Sequence, residues 1–99
     1  MISHAAFLEM TLDKQREYAE SLLGVNVRKR RLWRGREIRK QITKWRQVNH
    51  MGGNGLVYNT VQVRVQSVRI ERNGHSTLFG QKEYWSLGHL LRECEEICG

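Results

Sequence analysis

Arg36-Glu37-Ile38-Arg39-Lys40-Gln41-Ile42-Thr43-Lys44-Trp45-Arg46-Gln47-Val48-Asn49 is the stretch whose conformation decides the fold. Wound as a helix, it gathers Ile38, Gln41, Ile42, Trp45 and Val48 on one side and spreads Arg36, Arg39, Lys40, Lys44 and Arg46 across the other. Extended as a regular strand, it would place Ile38, Lys40, Ile42, Lys44, Arg46 and Val48 on one face, mixing charge with core. That comparison favours a helix from about Arg36 to Asn49. The strand alternative stays open, because Ile38, Ile42, Thr43, Trp45 and Val48 are β-formers and Arg34-Gly35 offers a hairpin turn ahead of them.

Working outward, residues 11–23 predict a helix capped by Thr11 or Asp13 and stopped at Gly24, with Leu12, Ala19, Leu22 and Leu23 on its apolar side. Val25 and Val27 alternate before Arg28-Lys29-Arg30-Arg31, which suits a short strand with a charged end or an arm without fixed structure. Met51 to Gly55 is a glycine-rich loop, expected to act as a flexible hinge. It lacks the lysine and hydroxyl residue of a phosphate-binding loop. Val57, Val61, Val63 and Val65 then share one strand parity against Gln62, Arg64 and Gln66. The apolar parity changes at Val68 and Ile70, which predicts a bulge or turn near Gln66-Ser67. Asn73-Gly74 signals a type I′ hairpin into a short strand from His75 to Phe79, ending at Gly80. From about Glu83 to Cys98, Leu87, Leu90, Leu91, Cys94, Ile97 and Cys98 form one helical stripe. The class that follows is α+β in a single domain over 1–99. A small antiparallel sheet, a hairpin or three-stranded meander, packs against N- and C-terminal amphipathic helices, with a basic helix or hairpin at about 28–49.

Charge is concentrated in the middle of the chain. Ten of the 17 basic residues lie between Arg28 and Arg46, with Glu37 as the one acid among them. Arginine outnumbers lysine twelve to five, and its fork suits phosphates and base edges. Trp33 and Trp45 add stacking surface, with Trp45 on the apolar side of its segment and Trp33 the better stacking candidate. A dense basic segment attracts polyanions, because each cation on a phosphate releases a counterion. The expected nucleic-acid contacts are Arg28, Lys29, Arg30, Arg31, Trp33, Arg34, Arg36, Arg39, Lys40, Lys44, Arg46 and Arg64. Glu93, Glu95 and Glu96 stand in the last turns of a helix, where the dipole disfavours them, and a compensating basic surface from the Arg28–Arg31 run or a second subunit would resolve the conflict.

Other chemistries fit less well. Cys94 and Cys98 share a helix face with core leucines, His89 points elsewhere, and buried thiols explain them better than zinc does. His50, His75, Asn54 and Asn73 lack the spacing and carboxylates of a metal-dependent nuclease, so no metal and no cofactor are expected. The enzyme alternative is a metal-independent RNase toxin using Tyr58, Arg64, Arg69 and His75, but no catalytic residue is assigned. A start without a basic region and long apolar run, and the absence of an 18-residue apolar stretch, predict a cytoplasmic protein without a membrane partner.

The strand, Asn-Gly turn, strand ending Phe79-Gly80 and amphipathic helix between Val57 and Ile97 resemble integrase arm-binding and AP2-type DNA-binding domains. That resemblance implies DNA reading by the sheet through Gln62, Arg64, Gln66, Arg69 and Glu71. With 28–49 as a hairpin, the order looks like a double-stranded-RNA-binding domain, but its N-terminal signature and helix-start lysines are missing. No family is recognised. The expectation is a small nucleic-acid-binding protein of the phage or mobile-element accessory type. The rival is an inhibitor or adaptor that docks its basic patch on an acidic protein, and a homodimer is left open.

Overall fold

A computed structural model describes residues 1–33 and 36–98, with the side chains of 1–27 and 38–96. The order is α1 (His4–Leu8), α2 (Leu12–Ser21), β1 (Asn26–Trp33), β2 (Arg36–Met51), β3 (Val57–Ile70), β4 (Ser76–Ser86) and α3 (Leu87–Cys98). The strands form one antiparallel sheet in the order β1-β2-β3-β4, a four-stranded meander in which the hairpin alternative for about 28–49 supplies the first two strands. β2 is 16 residues long, about 50 Å when extended, and the molecule measures 51 × 26 × 23 Å.

The decisive stretch is a strand, not a helix, and the reason is one residue. Ile42 pairs with Val65 and Lys44 with Arg64, leaving Thr43 as an extra residue in a β-bulge. Opposed residues of an antiparallel pair project to the same face. Before the bulge Ile38, Lys40 and Ile42 share a face; after it Trp45 and Gln47 continue that face, and Lys44 and Arg46 turn to the other. The mixture of charge and core that a regular strand would suffer is thereby removed.

Ile42, Val61, Val63, Val65 and Val27 meet Phe7 of α1, Ala19 and Leu22 of α2, and Leu87, Leu90 and Leu91 of α3 in one buried core. Each fully buried aliphatic side chain of this kind stabilises by about 1.5–3 kcal/mol. All three helices therefore cover one face of the sheet. Thr11 caps α2, its hydroxyl accepting from Lys14 N. α1 was not foreseen; Ser3 caps it. Leu23, expected on the apolar side of α2, is exposed.

Four further expectations are corrected. β3 pairs with β2 without interruption through Gln66-Ser67, so Val68 lies on the opposite face from Val65, buried but outside the main core. The irregularity belongs to β4, where Gly80-Gln81-Lys82 oppose Gln66 alone. β4 runs on to Ser86 because Trp85 and Tyr84 pair with Val63 and Arg64, which delays α3 to Leu87. The Asn73-Gly74 turn has a three-residue loop. Gly74 N donates to Glu71 O, Glu71 N donates to His75 O, and Gly74 takes φ +81°, the pattern of a glycine G1 bulge and not a type I′ turn. Met51–Gly55 repeats it and is no hinge: Gly55 N donates to Gly52 O, Gly52 N donates to Leu56 O, and Gly55 also has φ +81°. In each turn the asparagine Oδ1 accepts the amide two residues on, Leu56 from Asn54 and His75 from Asn73.

Candidate functional site

The face of the sheet away from the helices carries the polar residues that the pairing aligns. Lys44, Arg64 and Tyr84 form one cross-strand row, Arg46, Gln62 and Ser86 the next, and Gln41 and Gln66 pair behind them. Arg39 shares this face, opposite Val68 and Leu78, and towards the β2–β3 turn come His50 and Tyr58. Among the described side chains no carboxylate stands on this face, although Glu37 holds the register position opposite Ile70 at its far end.

Several of these groups are held in place. Arg46 Nε donates to Gln62 Oε1 at 2.8 Å, and its guanidinium carbon lies 3.6 Å from the Tyr84 ring centroid. Arg64 Nε donates to Thr43 Oγ1 at 3.0 Å, and that hydroxyl donates to Arg64 O at 3.3 Å. The bulge residue thus positions a cation as well as turning the strand. Gln66 Nε2 donates to Gly80 O at 3.2 Å, and the His50 and Tyr58 rings stack at 4.7 Å.

The expected contacts divide accordingly. Lys44, Arg46 and Arg64 come together on the open face, and Arg39 shares that face further along β2. Lys40 does not: it lies on the helix side, its Nζ donating to Ser67 Oγ at 3.0 Å beside the Trp85 ring. The shared helix face drawn for Arg36, Arg39, Lys40, Lys44 and Arg46 is replaced by this two-sided arrangement. Arg28, Lys29, Arg30, Arg31 and Trp33 have their backbone in β1, so the run is a strand and not an arm, and Arg36 opens β2 opposite Trp33. The side chains of all six, and Arg34-Gly35 entirely, lie outside the described residues. Trp45 packs against the core, its Nε1 donating to the Glu20 carboxylate.

Of the sheet residues implied by the integrase-type resemblance, Gln62, Arg64 and Gln66 share the open face. Arg69 faces the helix side and Glu71 follows the end of β3. The RNase candidates do not converge. Tyr58 and Arg64 are six residues apart on one strand, about 20 Å, Arg69 faces the other way, and His75 lies at a turn. Cys94 packs against the core, Cys98 lies outside the described side chains, and no cluster that could hold a metal ion occurs among the described residues. Glu95 accepts from the backbone His4 N at 2.7 Å and Glu96 pairs with Arg92 at 3.3 Å, while the Arg28–Arg31 side chains expected to offset the acidic helix end lie outside the described residues.

Sequence reasoning found the cations but missed Gln41, Tyr84 and Ser86 as members of the face. The signal for Tyr84 was its alternation with Trp85, read as the start of a helix. Among the described residues, no helix is long and apolar enough to cross a membrane. Comparison with protein-family models, curated proteins and solved structures finds no match.

Proposed function

We propose that this protein binds nucleic acid on the open face of its sheet. One observation carries the reading. The Thr43 bulge collects Lys44, Arg46 and Arg64 with Tyr84 and three glutamines on a face that no helix covers. Lysine and arginine supply phosphate contacts, and the guanidinium and tyrosine planes supply surfaces on which bases stack. Arg39 extends the row by about 17 Å along β2, and the basic residues of β1 adjoin it in the chain.

The test is a salt titration of anisotropy binding with labelled duplex DNA, single-stranded DNA and structured RNA. About six phosphate contacts give a slope of log K against log salt near −5. The K44A/R46A/R64A variant is expected to flatten that slope by about 2.5, whereas Lys40→Ala, a charge loss of the same kind on the covered face, changes it little. Absence of binding at low salt with all three probes would rule the reading out. The basic face would then be assigned to an acidic protein partner.

A further inference from the structure

We propose that the tip of the β2–β3 ribbon is an apolar wedge that enters a nucleic-acid duplex and bends it. The proposal rests on the nucleic-acid reading and narrows its substrate to duplex. β1 leaves β2 near Ile42, and the β4 pairing of β3 ends at Gln62 opposite Ser86. From Val48 and Thr60 outward, β2 and β3 pair only with each other as a two-stranded ribbon. At its end Met51 is 78% exposed, Leu56 68%, Val57 59% and Tyr58 58%. Residues 47–60 contain no Asp, Glu, Lys or Arg. An uncharged apolar tip of this kind on a basic protein is built to leave water against an apolar surface.

The tip is also stiff. Gly52 N donates to Leu56 O at 2.7 Å, Leu56 N donates to Asn54 Oδ1 at 3.1 Å, and the His50–Tyr58 stack clamps the strands one pair behind Met51 and Val57. A wedge needs that stiffness, because a soft loop would fold back instead of parting a base step.

The position of the charge selects the partner. Arg46 lies five residues from Met51 and Lys44 seven, about 17 and 23 Å back along the ribbon. A lipid surface that took the tip end-on would leave these cations roughly two Debye lengths from the headgroups at physiological salt. A duplex lying along the open face engages these cations together with Leu56 and Tyr58, which alternation places on the same side, whereas Met51 and Val57 project from the other. Phosphates meet Lys44, Arg46 and Arg64, and the apolar end reaches a base step, which such side chains unstack and kink.

The experiment is energy transfer across a duplex of about 30 base pairs labelled at both ends, with anisotropy on the same complexes. The wild-type protein is expected to raise transfer by bending the duplex. Leu56→Ala is expected to lose most of that rise while its affinity stays within about threefold, since the wedge no longer opens a step and no longer gains from it, and Met51→Ala, on the reverse side of the ribbon, is expected to keep it. Leu56→Phe is expected to keep the bend. Circular dichroism checks that the variants fold. Binding without any rise in transfer overturns the wedge and leaves the nucleic-acid reading standing. So does tighter binding to single strands than to duplex. Uptake by anionic vesicles that depends on Leu56, with duplex bending unaffected by it, assigns the tip to a membrane and also overturns the proposal. No binding to any nucleic acid fells both readings together.

Discussion

Arg46 reaches across β3 to lie over the ring of Tyr84 on β4, 3.6 Å from the ring centroid, while Gln62 on the strand between accepts from its Nε at 2.8 Å. One side chain from each of three strands fixes a single guanidinium plane. A fixed arginine loses less entropy on binding than a free one, so this contact preorganises the proposed interface.

Charge and orientation separate in a simple pair of variants. Arg46→Ala is expected to reduce the magnitude of the salt slope by about 1, because one phosphate contact is gone. Tyr84→Ala keeps the charge, so the slope stays the same while affinity falls roughly threefold to tenfold, the value of one stacking contact. Tyr84→Phe keeps the ring and the affinity. The measurement is the binding isotherm at four salt concentrations for each protein.

Thr43 joins fold and site. Thr43→Val preserves the shape of the bulge residue but removes the acceptor for Arg64 Nε at 3.0 Å. The expected loss is about 1 kcal/mol of unfolding free energy by urea denaturation. Arg64, left without that anchor, is expected to contribute less to binding. A variant as stable as wild type would show that the bulge is held by packing alone.

The two asparagine-glycine turns give a backbone test. Gly55 and Gly74 both adopt φ +81°, and a Cβ at either would meet no atom within 4 Å. Replacement by alanine therefore carries only the left-handed backbone penalty, about 1 kcal/mol each. Asparagine, which tolerates this region, is expected to cost less. Thermal unfolding of the four single variants reads both differences.

Ile42 is fully buried in the core beneath the helices. Ile42→Ala is expected to destabilise by about 3 kcal/mol through lost transfer energy and the cavity left behind. Lys44→Ala, two residues away on the other face, is expected to change stability by less than about 0.5 kcal/mol. Similar losses at both positions would contradict the face assignment made by the bulge.

The contrast between Ile42 and Lys44 shows where sequence reading succeeded and where it failed. Helix α2, the β3 alternation from Val57 to Val65 and the leucine stripe of α3 were legible because each carries a regular period and an end signal. Within β2, the stretch from about Arg36 to Asn49 favours a helix over the strand alternative because a bulge inserts one residue into a period of two, and the resulting pattern imitates a helical stripe. Tyr84 and Trp85 were assigned to the following helix because their pairing with Arg64 and Val63 is a contact between distant segments.

The sequence by itself determined that this is an α+β chain with amphipathic helices at both ends, that its positive charge is concentrated between Arg28 and Arg46, and that Trp45 faces the core. These follow from local periodicity and composition, which need no knowledge of partners. Tertiary structure alone decided which cations share a surface. Lys40 and Lys44 are four residues apart and lie on opposite faces, because the strand beside them skips a pairing at Thr43 and each side chain follows the register of its neighbour.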